Sequence, residues 1–365
     1  MHLPTLDELI GEQRTVYDHP LNQSLFAVGP PGSGKTTLAL QRASLLAETG
    51  HSVVLITYNR MLRRLAKLLN TSRATVKTMQ SFVWHDYLGR TGEAPPRTPL
   101  DPYIYIWPAM LQKLDERSCS GQKLDHLIVD EGQDLPVEFY QYAIRHVVQT
   151  ISVFADENQA VGSHQTTLGQ IKAAGQLMDP IFLHTNHRNT PEIARLAEHF
   201  HAGRLPAATV QRGSIADTPK ITHSRSIEET AKRIATWFQN RRGTIGIVVH
   251  RNETGSLVHT ALRSLLPDRR VDIYTSDQPN EDSINLHVPG VTVLNMKSAK
   301  GQEFDTLFLL ELEEFLPCQN EPMRRVMYML CARARDYLWL VHGPSNLSAA
   351  AQASLPDHHL LQRIK

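Results

Sequence analysis

A glycine-rich segment near the amino terminus contains the residue types that a bound phosphate chain requires. Residues 29–36 read Gly-Pro-Pro-Gly-Ser-Gly-Lys-Thr and fit the spacing G-x-x-x-x-G-K-[ST]. Glycines let backbone N–H groups curl around phosphates, the lysine reaches the β- and γ-phosphates, and the final hydroxyl binds Mg²⁺. The segment therefore predicts a Mg-ATP site. Its nucleotide-binding residues are predicted to be Gly29, Gly32, Ser33, Gly34, Lys35, Thr36 and Thr37.

An acidic segment about a hundred residues later supplies the partner that such a loop needs. Residues 127–134 read Leu-Ile-Val-Asp-Glu-Gly-Gln-Asp, which is an apolar strand pattern ending in acids. Asp130, together with Thr36, is predicted to hold Mg²⁺. Glu131 is predicted to polarise the attacking water as a general base.

The elements that must position these residues follow an alternating pattern. Short apolar, β-rich runs alternate with helical patterns in both halves of the chain, which is typical of parallel sheets covered by helices. We predict two α/β domains, residues 1–179 and 180–365. Residues 92–102 and 203–219 are predicted to be loops or small insertions. The predicted strands are residues 25–28, 53–57, 75–78, 127–130, 151–155, 181–184, 245–250, 271–274, 291–295, 306–310 and 337–341.

Composition narrows the function classes. The 365 residues include 38 Lys and Arg against 37 Asp and Glu, so the net charge is +1 and any nucleic-acid binding must come from a local patch. Three widely spaced cysteines favour a reducing compartment. No signal peptide, membrane-spanning run or metal-binding histidine spacing is evident, so we expect a cytoplasmic protein without a membrane partner.

Further segments occur in the order known from one family. With the two motifs above, the chain resembles the UvrD/Rep/PcrA-like ATPases of helicase superfamily 1. The resemblance implies two RecA-like P-loop domains, with the ATP site at their interface. The segments that carry it are Glu12-Gln13-Arg14, Asp156-Glu157-Asn158-Gln159, Asn186-His187-Arg188, Ser298-Ala299-Lys300-Gly301-Gln302-Glu303-Phe304-Asp305 and Arg333-Ala334-Arg335.

The resemblance also implies roles for individual residues. Gln13 would read adenine and His187 would stack on it, while Gly301 and Glu303 would lie near the sugar. Gln159 would sense the γ-phosphate, Arg188 would contact it, and Arg333 would be the arginine finger. The implied catalytic set is thus Lys35, Glu131, Gln159, Arg188 and Arg333, with ATP and Mg²⁺ as cofactors.

Two segments resemble the family's contacts to single-stranded DNA. Residues 57–59 and 78–82 match them, and a run of basic side chains begins at Arg60. Basic residues beside an aromatic suit a phosphate track, although a solvated helix face and a core role for Tyr58 are equally open. The predicted nucleic-acid residues are Tyr58, Asn59, Arg60, Arg63, Ser81 and Phe82.

The chain departs from the family pattern in length and in the DNA track. Only 47 positions separate Arg251 from Ser298, so the large insertion of the second domain is missing, and the first insertion is reduced to about residues 83–122. Gly162, His164 and Gln165 stand where the family has a tyrosine, a tryptophan and an arginine. Losing aromatic stacking, worth about 1–3 kcal/mol per base, weakens the case for tight strand translocation.

Two function classes follow from this pattern. The leading hypothesis is an ATP hydrolase of the UvrD-like class that binds and moves or remodels single-stranded DNA, with 3′-to-5′ the direction its relatives use. The alternative is an ATP-driven switch or regulatory subunit whose protein partner is a nuclease subunit, as in anti-phage defence assemblies, or a second copy of the chain. A small-molecule kinase fits poorly, because such a kinase does not need Gln159, Arg188 and Arg333.

Overall fold

The computed structural model describes residues 9–57, 74–116, 123–157, 166–274 and 288–364. Within it the chain forms two compact units, an N-terminal unit of His2–His184 and a C-terminal unit of Thr185–Lys365. Each unit contains its own sheet, and every pairing between the named strands is parallel. The predicted α/β class, with parallel sheets flanked by helices, is confirmed.

The N-terminal unit is a six-stranded sheet in the order β3-β2-β4-β5-β1-β6. Its strands are β1 (Leu25–Val28), β2 (Val53–Ile56), β3 (Thr75–Lys77), β4 (Leu124–Val129), β5 (Val148–Ala155) and β6 (Ile181–Phe182). Its α-helices are α1 (Gly11–Tyr17), α2 (Lys35–Glu48), α3 (Met79–Thr91), α4 (Trp107–Glu116), α5 (Val137–Tyr142) and α6 (Leu168–Ala174).

Burial on both faces explains the apolar runs of the central strands. All four residues of β1 and of β2 are buried, and α2 packs Leu38, Leu46 and Ala43 into the same core. Because β5 lies between β1 and β4, the carboxyl ends of these three strands are neighbours at one edge of the sheet. The glycine-rich loop follows β1, the acidic segment follows β4, and Asp156 follows β5.

The C-terminal unit has a seven-stranded sheet in the order β11-β12-β10-β13-β14-β9-β15, and a two-stranded sheet of β7 and β8. Its strands are β7 (Thr185–Asn186), β8 (Thr209–Val210), β9 (Lys220–His223), β10 (Thr244–Val249), β11 (Val271–Tyr274), β12 (Gly290–Asn295), β13 (Phe304–Leu309), β14 (Ala334–His342) and β15 (Gln362–Ile364). Its helices are α7 (Pro191–His199), α8 (Ile227–Asn240), α9 (Asn252–Leu265), α10 (Met296–Ala299), α11 (Leu312–Phe315), α12 (Glu321–Cys331) and α13 (Ala349–Ala353).

The structure contains strands that the apolar pattern does not predict. β9 contains a single strongly apolar residue, Ile221, so its sequence does not predict a strand. It is held in the sheet by pairing with β14 on one side and β15 on the other. β8 lies inside residues 203–219, which the sequence predicts to be a loop. Residues 181–182 are predicted at the start of the second domain, but they pair with β1 in the sheet of the N-terminal unit.

Two further sequence observations have structural counterparts. Cys318 and Cys331 are buried and carry free thiols, whereas Cys119 lies outside the described residues. No helix in the part of the chain that the structure describes is long and apolar enough to cross a membrane.

Candidate nucleotide site

The glycine-rich loop connects β1 to α2, which begins at Lys35. Gly32 and Gly34 adopt φ angles of 80° and 89°, a left-handed region that favours glycine. A Cβ on Gly34 would lie 2.8 Å from Nε2 of Gln13, and one on Gly29 would lie 2.7 Å from Cβ of Leu183. Glycine is therefore favoured at positions 32 and 34 by the backbone angle, and at positions 29 and 34 by the close neighbours. All seven predicted nucleotide-binding residues, 29 and 32–37, lie in this loop or in the first turn of α2.

Lys35 is folded against its own loop. Its side chain is 6% exposed, and Nζ donates to the carbonyl oxygens of Gly29 at 2.7 Å and Pro30 at 2.8 Å. The same ammonium lies 3.5 Å from Oδ2 of Asp156. These acceptors hold a buried cation at the point where the sequence predicts a phosphate contact. Phosphate oxygens would be equivalent acceptors for the same ammonium group.

Asp130 and Thr36 form an oxygen pair that suits a magnesium ion. The Thr36 hydroxyl donates to Oδ2 of Asp130 at 2.9 Å, and Asp130 is 1% exposed. Its Oδ1 is buried and has no hydrogen-bond partner among the described residues. Burial, and then the charge of Glu131, raises the pKa of Asp130 above its usual value, and a bound cation would favour the ionised form. A buried carboxylate with a free oxygen beside a hydroxyl is a ligand set that Mg²⁺ prefers, so these residues fit the ion.

Glu131 is held by Gln133, a residue without a predicted role. The backbone of Glu131 is left-handed, with φ of 56°, at the turn after β4. Nε2 of Gln133 donates to Oε2 of Glu131 at 2.7 Å, and Oε1 of Gln133 accepts from the backbone N–H of Asp156 at 2.9 Å. Gln133 thus links the predicted general base to the end of β5. The sequence signal for this residue is its place in the acidic segment, two positions after Glu131.

Gln13 also lies at the glycine-rich loop. It is 7% exposed on α1, and its Nε2 donates to the carbonyl oxygen of Ser33 at 3.0 Å. Its Oε1 accepts from the backbone N–H of Ile10 at 3.3 Å. The structure therefore brings this predicted adenine-reading residue to the glycine-rich loop, 20 residues away in sequence.

In the C-terminal unit, Arg188 and Glu303 form an ion pair. Nε of Arg188 lies 2.7 Å from Oε2 of Glu303. Burial would raise the pKa of Glu303, but the nearby Arg188 and Arg335 outweigh it and leave that pKa below its usual value. Gly301, two residues earlier, has φ of 76°. The segment 301–303 and the Asn-His-Arg segment that includes His187 are therefore adjacent.

Arg333 is buried in this conformation. It is 1% exposed, and its Nε donates to the carbonyl oxygen of Met329 at 2.9 Å. Nη1 lies 3.5 Å from the carbonyl oxygen of Gln302. The side chain of the predicted arginine finger is thus anchored to the backbone of α12 and to the segment before β13.

The predicted nucleic-acid residues are only partly within the described residues. Thr78 is the N-cap of α3 and accepts from the Ser81 N–H at 3.2 Å, which places Ser81 in the first turn. Phe82 is 3% exposed, and its ring meets that of Phe139 edge-on at 6.5 Å between centroids. Its ring therefore belongs to the core, not to the surface. Four predicted nucleic-acid residues lie outside the described residues: Tyr58, Asn59, Arg60 and Arg63. Gln159, the predicted γ-phosphate sensor, also lies outside them.

Comparisons with known proteins give one family match and a likeness to a solved structure. Residues 13–164 match the model of a family described as an AAA domain. The matched segment contains the glycine-rich loop and the acidic segment. A comparison with curated proteins finds no match. Among solved structures, the chain is similar to the C-terminal domain of a possible DNA helicase from Lactobacillus plantarum WCFS1, with 22% identity and a TM-score of 0.36. That likeness covers 48% of this chain and 98% of the other.

Proposed function

We propose that the chain is a Mg²⁺-dependent ATP hydrolase of the UvrD-like helicase class that couples hydrolysis to binding and movement on single-stranded DNA. The observation that carries the proposal is the buried Asp130 carboxylate, with one oxygen on Thr36 and the other without a partner among the described residues, beside the glycine-rich loop. The AAA domain match of residues 13–164 supports an ATPase of this general kind.

In the proposed reaction, each site residue of the N-terminal unit has a separate role. Thr36 and Asp130 would hold Mg²⁺, which would neutralise charge at the phosphates. When ATP binds, the Lys35 ammonium group would stop donating to the carbonyl oxygens of Gly29 and Pro30 and would donate to phosphate oxygens instead. Glu131, oriented by Gln133, accepts a proton from the water whose oxygen attacks the γ-phosphorus. The bond from that phosphorus to the bridging oxygen breaks, and ADP and phosphate leave.

Arginines of the C-terminal unit complete the proposed reaction. Arg188 and Arg333 contact the γ-phosphate during hydrolysis and neutralise the charge that develops in the transition state. Their support is their order in the family motifs. Arg333 is buried in this conformation, so its side chain would have to leave the carbonyl oxygen of Met329 to contact phosphate. Arg188 would have to leave Glu303, or share it, when it contacts phosphate.

The test is the steady-state rate of ATP hydrolysis with Mg²⁺, with and without single-stranded DNA. We expect hydrolysis that DNA accelerates severalfold. Glu131→Gln should retain nucleotide binding but lose hydrolysis by about 10²-fold or more, the contribution expected of a general base. Glu138→Gln, on α5 of the same unit, is the matched control and should be normal. Absence of hydrolysis in the wild-type protein under all these conditions contradicts the proposal.

A second candidate, an ATP-driven switch within a larger assembly, is favoured by the buried Phe82. An aromatic side chain in the core cannot stack on a base, and this removes one predicted contact to DNA. The partner would be a nuclease subunit of an anti-phage assembly or a second copy of the chain. A hydrolysis rate that DNA and RNA leave unchanged, together with ATP-dependent self-association or capture of a nuclease subunit, would favour this candidate.

A further inference from the structure

We infer that Arg212 is a positioning residue that fixes the backbone of Arg188 to the backbone around Arg333. The inference rests on the proposed function, because it concerns how two arginines that act on phosphate are held in one arrangement. Arg212 lies in residues 203–219, the stretch predicted from sequence to be a loop or small insertion, and no motif includes it.

The segment containing Arg212 is joined to the Asn-His-Arg segment by strand pairing. β8 pairs with β7 in parallel, with Thr209 opposite Thr185 and Val210 opposite Asn186. The N–H of Gln211 then donates to the carbonyl oxygen of Asn186 at 3.1 Å. These bonds bring Arg212 beside Arg188.

The guanidinium of Arg212 joins two separate segments of backbone. Nη1 donates to the carbonyl oxygen of Arg188 at 2.7 Å and to that of Arg335 at 3.1 Å. Nη2 donates to Oδ1 of Asp336 at 2.7 Å, and both side chains of this ion pair are less than a third exposed. A planar guanidinium can reach all three acceptors at once because its N–H groups point in fixed, divergent directions.

Asn189, which is buried, also links the Asn-His-Arg segment to the backbone around Arg333. It is 1% exposed, and its Nδ2 donates to the carbonyl oxygens of Ala332, at 3.2 Å, and Ala334, the residues on either side of Arg333. Its Oδ1 accepts from Nδ2 of Asn186 at 2.8 Å. The N–H of Thr190 donates to the carbonyl oxygen of Arg335 at 3.0 Å.

The two predicted phosphate arginines therefore share one hydrogen-bonded block. Carbonyl oxygens of residues 332, 334 and 335 accept from residues 189, 190 and 212. The backbone of Arg188 therefore cannot shift relative to that of Arg333 without breaking several hydrogen bonds, of which those of Asn189 are buried. Among these three donors, Arg212 alone comes from residues 203–219. Its role is to hold the spacing of two charges that act together in the transition state.

The test compares Arg212→Ala and Arg212→Lys with Arg188→Ala and with the double variant Arg188→Ala/Arg212→Ala. We expect Arg212→Ala to lower kcat by about tenfold or more, with KM for ATP changed by less than about twofold, because spacing matters mainly in the transition state. Arg212→Lys keeps the charge without the fork and should lose at least about fivefold. In the double variant, removing Arg212 should add little to the loss caused by Arg188→Ala, because Arg212 acts through it.

The matched control is Arg241→Ala. Arg241 is also a partly exposed arginine of the C-terminal unit with an aspartate neighbour, Asp217 at 3.5 Å, but it touches neither arginine segment. It should leave kcat unchanged. If Arg212→Ala fails to fold, Arg212→Lys at an unchanged unfolding midpoint carries the test.

Three results would overturn the inference. One is wild-type kcat in both Arg212 variants. Another is a double variant slower than Arg188→Ala by the full factor that Arg212→Ala causes alone, which would show independent effects. Both leave the proposed function intact if the wild type is active and Arg188→Ala is slow. The third, absence of hydrolysis in the wild type, would instead defeat the proposed function, and this inference with it.

Discussion

At the scale of single residues, Gln133 occupies a position between two parts of the site. It is 1% exposed, and it donates to Glu131 while accepting from Asp156. Asp156 in turn lies beside Lys35. The predicted general base and the predicted phosphate-binding lysine are thus connected through the amide side chain of Gln133 and through Asp156, whose N–H and carboxylate make the two contacts.

Replacing Gln133 by leucine tests whether this connection matters for catalysis. The variant removes the hydrogen bonds that Glu131 and Asp156 make with Gln133, and each lost hydrogen bond costs about 0.5–1.5 kcal/mol of folding free energy. We expect kcat for ATP hydrolysis to fall by about tenfold to a hundredfold, because a carboxylate that is not held loses its alignment with the attacking water. The measurements are kcat, KM and the urea midpoint.

The control for this variant is Gln112→Leu, on the exposed face of α4. It should change neither rate nor stability appreciably. A Gln133→Leu protein that is less stable but hydrolyses ATP at the wild-type kcat would show that Gln133 serves packing alone.

At the scale of elements, β4 and β5 are joined by buried polar groups as well as by their backbones. His126 on β4 is 1% exposed and contacts the hydroxyl groups of Ser152 and Thr150 on β5 at 2.8 and 2.6 Å. The Thr150 hydroxyl donates to the carbonyl oxygen of Asp125, so His126 must donate from Nδ1 and accept at Nε2. Nε of Arg42 donates to the same Ser152 hydroxyl at 2.9 Å. Burial and the nearby Arg42 cation therefore favour neutral histidine in this network.

The network predicts that acid destabilises the N-terminal unit. Burial, and then the charge of Arg42, lowers the pKa of His126 to about 3, whereas in the unfolded chain it is near 6.5. Between these values the unfolded state binds the extra proton, so stability is complete above pH 6.5 and is lost as the pH falls. The loss from this residue is at most about 1.4 kcal/mol per pH unit.

The measurement is the free energy of unfolding from pH 7 to pH 4.5 for the wild type and His126→Gln. Glutamine can donate and accept but does not titrate, so the variant should lose less stability on acidification. The difference between the two proteins isolates His126 from the other histidines. A difference that stays constant across this range would contradict the assignment.

The same elements show why strand boundaries were less predictable than strand positions. β4 begins at Leu124, but the prediction began at residue 127, because Asp125 and His126 break the apolar pattern. Both are satisfied by partners far along the chain. Ser52 donates to Asp125 through its N–H at 2.7 Å and its hydroxyl at 2.8 Å. Polar residues in a strand can be placed only when the neighbouring strand is known.

At the scale of the whole molecule, the near-zero net charge limits how the chain can bind nucleic acid. A charge of +1 gives no general attraction, so affinity must come from a few local cations. The basic run beginning at Arg60 is the sequence candidate, and it lies outside the described residues. The affinity for nucleic acid should therefore fall only gradually as the salt concentration rises, because few phosphate contacts are made.

This expectation can be measured as the slope of log affinity for single-stranded DNA against log salt concentration. Each phosphate contact on a single strand contributes about −0.7, so Arg60→Ala/Arg63→Ala should reduce the magnitude of the slope by about 1.4 if both residues contact phosphate. Lys123→Ala/Arg145→Ala, on the same unit, is the charge-matched control and should leave the slope unchanged. Equal slopes for the wild type and the Arg60/Arg63 variant would remove the proposed track.

The sequence alone determined the class of fold and the residues of the glycine-rich loop. Gly32 and Gly34 are required by local backbone angles, and the apolar strands by burial on both faces of a sheet, so residue type and spacing suffice to find them. The tertiary structure decided which distant residues meet. Phe82 is a core residue, and Gln133 bonds to both Glu131 and Asp156. Arg212, which lies in a predicted loop, donates to the backbone of Arg188. Such contacts depend on strand order and on pairing between segments far apart in the chain, and no local pattern encodes either.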